Sequence, residues 1–311
     1  MTAETTTPSP TSRRPWTALL NNPVMTKELR SRMRGHRAFA VLTLYLIVLS
    51  AAILFVYLIY LSSAAVPSNT MARTTGKGLF AAVLGVQIIL VTFIGPAFTA
   101  GSISGERERQ TFDLLRTTLL PANAFVLGKL VSALSYIFLL VIVSIPLQSL
   151  AFLLGGLSPV ELVLSQVLVL ITAAPYALYG LWCSAAMRST LTATVATFAG
   201  TLFLTFGIPM LAFVAIMMLG FTGFSIGTPG PTLEMILIYV GLVLAATNLP
   251  ATLVISEAFL LSQDTLLGYT YHGTQLMWIF SPWWLFIIFH VLAAVILYLA
   301  TVRRVRRISD V

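Results

Sequence analysis

The sequence predicts an all-α integral membrane protein of six transmembrane helices, and three observations carry that reading. Hydrophobic residues fill 58% of its 311 positions, charged residues only 9%, and the mean hydropathy is +0.94. Soluble domains carry about 25% charged residues. Six apolar runs are each long enough for a hydrocarbon core of about 30 Å, which needs roughly 20 helical residues. Finally, the 18 Lys and Arg side chains cluster beside those runs, as residues that orient helices in a bilayer do. The net charge of +8 therefore points to a membrane surface and away from nucleic acid. The runs leave no room for a separate soluble domain, so residues 22–311 read as one transmembrane domain.

Residues 1–21 are largely Thr, Pro and Ser up to Ser12 and read as a disordered tail. The stretch Arg13 to Arg37 is too long and polar for the n-region of a signal peptide. Within it, Asn22 and Pro23 read as a helix cap and a first-turn proline. Val24, Met25, Leu29 and Met33 then form an apolar strip, with Lys27, Arg30, Arg34 and Arg37 largely off it. Such a helix lies on an anionic leaflet. The first two spans are residues 39–61 and 79–100. The third, 130–154, is broken only by Gln148 and a Pro146 that a membrane helix tolerates. A Gly155–Pro159 turn leads to the fourth, 160–187, and Arg188 marks the turn to the fifth. That fifth run, 191–221, exceeds what a span requires and is expected to bend at Gly207 and Pro209. Ser281-Pro282 opens the sixth, 282–302.

Residues 235–261 are the ambiguous stretch. Met235 to Thr247 is apolar but short, Asn248-Leu249-Pro250 interrupts it, and Glu257 follows. Apolar segments of about 10 to 14 residues are more often re-entrant or interfacial than spanning. Charge agrees. Six spans from an inner N-terminus leave only Arg73 and Lys77 outside, whereas a seventh would carry Arg303 to Arg307 to the outer face. Both termini then lie on the cytoplasmic side, and Tyr269, Tyr271, Trp278, Trp283 and Trp284 form an outer aromatic belt.

The most informative polar stretch is Gly101 to Pro121. It holds Glu106, Arg107, Glu108, Arg109, Asp113 and Arg116, and lies between two membrane-length runs. Phe112, Leu115 and Leu119 recur at three- and four-residue steps, the stripe of a helix running from about Glu106 to Arg116. The plain alternative is a solvated loop with Glu106–Arg109, Arg109–Asp113 and Asp113–Arg116 pairs. Those pairs account for the charges. They do not account for Phe112 and Leu115 facing water, which favours docking onto a partner.

No catalytic constellation stands out. H-E-x-x-H does not occur, the one G-x-S-x-G (Gly223 to Gly227) follows the fifth apolar run with no strand before it, and His36, His272 and His290 fall in different compartments. Gly76-Lys77 and Gly128-Lys129 lack the glycine that opens a phosphate loop. No buried carboxylate chain marks a proton path. His290 reads as an imidazole bonded to a neighbouring helix, Cys183 as a packed thiol, and Gln87, Gln148 and Gln166 as packing residues or cavity liners. Glu234, Glu257 and Asp264 fall in the outer segment as a solvated rim or the mouth of a path.

Two stretches carry a family resemblance. Asn22-Pro23-Val24-Met25-Thr26-Lys27-Glu28-Leu29-Arg30 resembles the start of the interfacial helix of type 2 ABC transporter permeases. Glu106-Arg107-Glu108-Arg109-Gln110-Thr111-Phe112-Asp113-Leu114-Leu115 resembles that family's E-x-E-x-G-T segment, with Gln110 where the family often has glycine. Leu119-Leu120-Pro121 and Gly128-Lys129 follow in the family's order, and the stretch before the sixth span is similar to its outer re-entrant helices. The resemblance implies a coupling helix that contacts an ATPase through Glu106, Arg107, Glu108, Arg109, Gln110, Thr111, Phe112 and Leu115. It also implies an interfacial helix carrying Lys27, Glu28, Leu29, Arg30 and Met33. The chain would then be the non-catalytic membrane subunit of an ABC exporter in a bacterial plasma membrane. ATP and Mg would sit on a separate ATPase, and a second permease subunit, identical or related, would complete the path. An ion-gradient-driven secondary transporter and a non-transporting membrane anchor are the alternatives.

Overall fold

The computed structural model describes residues 23–33, 36–63, 69–110, 121–154, 157–226, 231–263, 267–272 and 276–309. In chain order these form α1 (Pro23–Met33), α2 (His36–Ser63), α3 (Asn69–Thr99), the short α4 (Ser104–Glu108), α5 (Ala122–Leu153) and α6 (Pro159–Ala186). Next come α7 (Thr190–Leu202), a π-helical turn (Phe203–Gly207) and α8 (Ile208–Ile226). Helices α9 (Pro231–Ala245) and α10 (Leu249–Gln263), strands β1 (Gly268–His272) and β2 (Leu276–Phe280), and α11 (Trp283–Ser309) complete the chain. Among the described residues six helical stretches are long and apolar enough to cross a membrane, the fold of a multi-pass membrane protein. Pro96, Pro146 and Pro175 lie inside three of these helices, which membrane helices tolerate. Several helices outrun their apolar stretches. Helix α5 begins eight residues before its apolar run, at Ala122, so Asn123 and Lys129 are helical.

Helix α6 is the hub, packing on α3, α5, α7 and α11. It starts with a reciprocal cap: Ser158 Oγ accepts from the Glu161 N–H at 3.2 Å, and Glu161 Oε2 accepts from the Ser158 N–H at 3.1 Å. Further along, Gly180 lies so close to Thr99 that any Cβ there would collide with it. Small residues at such crossings let membrane helices approach. Around this crossing Val91, Ile137, Leu168, Ala173 and Phe286 form a buried core. Polar side chains bridge the same helices. Gln87 and Gln166 exchange amide hydrogen bonds at 3.2 Å, and Gln87 also donates to Ser144, as Gln148 does at 3.4 Å. All four are buried, so these glutamines pack between the helices. His290 is buried too, but its Nδ1 meets the Phe286 carbonyl of its own helix at 3.0 Å, not a neighbouring helix.

The fifth apolar run departs from the expected simple bend, and the chemistry of Pro209 explains how. The Ile208 N–H reaches back five residues to the Phe203 carbonyl, leaving the Leu204 carbonyl open. Pro209 has no N–H for the Thr205 carbonyl four residues earlier. Asn248 fills both positions. Its Nδ2 donates to Leu204 O at 2.9 Å and Thr205 O at 2.8 Å, while its Oδ1 accepts from the Ala251 N–H at 3.2 Å and opens α10. Thr205 Oγ1 is in turn 2.7 Å from the Tyr176 hydroxyl and 3.4 Å from Thr92 Oγ1. Helices α9 and α10 have 15 residues each, roughly 22 Å at 1.5 Å per residue, short of a hydrocarbon core.

One element escapes the helical reading. Residues 268–280 form an antiparallel hairpin pairing Tyr269 with Ile279 and Tyr271 with Met277. Three of the expected belt aromatics, Tyr269, Tyr271 and Trp278, thus sit on strands, where aromatic and β-branched residues fit best. The hairpin is closed by the Ser281 N–H on the Leu267 carbonyl at 3.0 Å. Nearby, Lys77 of α3 pairs with Glu257 of α10 at 3.3 Å. The side chains of Glu234 and Asp264 lie outside the described residues.

Candidate functional site

At the end of the bundle where Lys129, Arg107, Arg109, Arg188 and Arg303 to Arg307 gather, α4 is folded into the helices. The backbone N–H groups of Ile103 and Ser104 both donate to Ser184 Oγ near the end of α6, at 2.9 and 3.0 Å. Arg107 reaches the Met187 carbonyl at 3.4 Å. Glu108 accepts from the Thr190 N–H at 2.8 Å and from the Thr190 hydroxyl at 2.6 Å. It supplies the capping acceptor for α7 that Ser189 does not. The Thr190 hydroxyl, then the Thr190 N–H, hold the Glu108 carboxyl below the usual carboxylate range, with smaller help from Ser189 and Arg109.

Beneath α4 sits Lys129, a fully buried side chain of α5. Its ammonium donates to Glu106 Oε1 at 2.8 Å, the Ser102 carbonyl at 3.1 Å and Glu28 Oε1 at 3.2 Å. Three protons meet three acceptors, which is the full capacity of the group. The Phe125 ring lies 5.0 Å below it. A buried cation is tolerated only with close, well-aligned partners. Here the partners come from three places in the chain: α1, the turn after α3, and α4. Glu106 therefore faces Lys129, not Arg109 as the solvated-loop alternative would have it.

α1 packs against α5. Leu29 and Glu28 are half-buried, whereas Lys27 and Arg30 face outward; the Met33 side chain lies outside the described residues. α4 ends at Glu108, and Gln110 adopts φ 57°, a left-handed conformation that stops a helix and favours glycine. The expected helix from Glu106 to Arg116 is thus interrupted at Gln110. Thr111, Phe112 and Leu115 lie outside the described residues, between Gln110 and the extended cap at Pro121.

No family model matches this chain, and no curated protein matches it. The site contains a cation saturated by two carboxylates and a backbone carbonyl, a third carboxylate capping a helix, and a left-handed turn. Among the described residues no group of three or more His, Cys, Asp or Glu could hold a metal ion. What the arrangement does is mechanical: it ties one surface segment to α1, α5, α6 and α7. The sequence pointed to Glu28, Glu106 and Glu108 but gave them separate duties. Lys129, which joins two of them, it passed over as a topology residue. The missed signal is the setting Phe125-Val126-Leu127-Gly128-Lys129-Leu130, a lone cation in an apolar helix that must find carboxylates.

Proposed function

We propose that this chain is the non-catalytic, membrane-spanning permease subunit of an ATP-driven ABC exporter. The observation that carries the reading is the Lys129 knot. A segment that receives force from a partner must be fixed to the helices it moves, and 101–110 is fixed to four of them. Two details agree. Gln110 occupies the left-handed turn at the position where the resembled family often carries glycine, and α1 presents Lys27 and Arg30 outward, as an interfacial helix does.

In this reading the basic end is cytoplasmic in a bacterial plasma membrane and 101–121 is the coupling segment. Helices α9 and α10 enter and leave from the outer side, with the Asn248 turn as their deepest point. A separate ATPase binds ATP and Mg and grips Thr111, Phe112 and Leu115. A second permease subunit completes the path. The scarcity of charge in the spans suits an apolar or amphipathic cargo.

Phe112→Asp tests the docking. Truncating an interface aromatic typically costs about 2 kcal/mol or more, roughly a thirtyfold loss of affinity. The variant is expected to insert normally but to lose ATPase co-purification and ATP-dependent transport together, while Arg116→Ala keeps most of both. Equal ATPase recovery with Phe112→Asp and the unmodified chain would defeat the assignment.

A further inference from the structure

We propose that the outer face of α11 is a binding site for an anionic phospholipid. The twenty residues from Trp283 to Val302 rise roughly 30 Å at 1.5 Å each, the thickness of a hydrocarbon core. Arg303 and Arg304 therefore emerge at the level of the lipid phosphates, and Arg306 and Arg307 just beyond. At 100° per residue the four arginines fall within an arc of about 160°. All four are exposed. Val302 and Val305, on the other side, are buried against α5 and α6, which fixes the direction in which the arginines project.

The same face continues into the membrane as an apolar stripe. Ile288, Phe289, Leu292, Val295, Ile296 and Leu299 are between 47% and 63% exposed and fall within an arc of about 120° that overlaps the arginines. A phospholipid has that pattern: acyl chains along the stripe, phosphate at the basic end. The contrast with other cations at this end is chemical. Lys129 is saturated by two carboxylates and the Ser102 carbonyl. Among the described residues no carboxylate pairs with Arg303, Arg304 or Arg307, and Arg306 reaches the amide oxygen of Asn123 at 3.4 Å. Guanidinium groups bind phosphate oxygens through paired N–H donors. A soluble partner would meet the arginines but leaves the apolar stripe unexplained; a lipid accounts for both.

The test needs no ATPase, so its outcome is separate from that of the docking reading. The full chain, with Cys183→Ala and a single Leu299→Cys carrying a fluorophore, is reconstituted in phosphatidylcholine vesicles. Lipids brominated on their acyl chains are then titrated in. One arginine engaged per singly charged headgroup is worth about a fivefold preference. Half-quenching is therefore expected at roughly fivefold less brominated phosphatidylglycerol than brominated phosphatidylcholine, narrowing in high salt. Changing all four arginines to Gln is expected to erase the preference, and changing them to Lys to keep much of it. Equal quenching by both lipids overturns the proposal, as does a preference that survives in the Gln variant. Quenching by neither lipid also overturns it, since a second copy or another protein would then cover the face.

Discussion

Lys129 is the residue on which the basic end depends, and its substitution separates a structural knot from a surface ion pair. Removing one partner of a buried pair costs about 3–5 kcal/mol because the other charge is left stranded. The Glu28 and Glu106 side chains are each 22% exposed, so Lys129→Met is expected near the low end, about 3 kcal/mol, measured by detergent-driven unfolding in mixed micelles. Glu28→Gln leaves Glu106 and a carbonyl on the ammonium and is expected to cost about 1 kcal/mol. A loss that small for Lys129→Met would mean the lysine escapes to water. Glu108 makes a separate prediction in pH. Its folded pKa is depressed by Thr190, so its stabilisation is fully present above the ordinary carboxylate value and disappears as pH falls through the lower folded value. The stability difference between the unmodified chain and Glu108→Gln should therefore vanish on acidification below about pH 4. A difference that grows on acidification would reverse the assignment. The carboxylates of this site were legible because charges between membrane runs are rare. Their partners were not, since Lys129 is distant in sequence from Glu28 and no periodicity links the two.

Among the elements, the π-helical turn shows what sequence reading recovers and where it stops. Gly207 and Pro209 announced an irregular fifth helix, and Asn248-Leu249-Pro250 announced a break. That the two breaks mate could not be read from either, because the link is a side-chain amide filling carbonyls opened by a proline 39 positions earlier (209 to 248). The hairpin at 268–280 was obscured differently: its Tyr and Trp residues suit a membrane interface and a strand equally. Asn248→Leu would leave the Leu204 and Thr205 carbonyls without those donors, at about 1–3 kcal/mol for a buried group left unsatisfied. Hydrogen exchange is expected to quicken in residues 203–208 and 249–252. Pro209→Ala restores an N–H for the Thr205 carbonyl, so Asn248→Leu should cost less in that background. If the two substitutions add independently, the amide is not compensating for the proline.

At the scale of the whole molecule the decisive quantity is the sidedness of charge. The six membrane-length helices and two short ones among the described residues put both termini on one side if α9 and α10 enter and leave by the same face. They put the termini on opposite sides if that pair crosses. Charge favours the first arrangement: sixteen of the 18 basic residues then share the side of the Lys129 knot, leaving Arg73 and Lys77 opposite. Lys77 pairs with Glu257 at 3.3 Å, which ties α10 to the end of α3 away from the knot, where an outer hairpin would sit. Basic residues resist translocation, so that imbalance sets orientation. The prediction is read with single cysteines at Arg73, Thr117, Thr228 and Ser309 in a Cys183→Ala chain, using an impermeant thiol reagent on intact cells. Arg73→Cys and Thr228→Cys are expected to label, and Thr117→Cys and Ser309→Cys only after the membrane is opened. Labelling at Ser309→Cys in intact cells, with Thr117→Cys still protected, would mean that the α9–α10 pair crosses, and it would carry the α11 arginines to the outer surface. Labelling of Thr117→Cys and Ser309→Cys alone would invert the molecule. The segment proposed to meet an ATPase would then face away from the compartment that holds ATP, and the permease reading would fall with it.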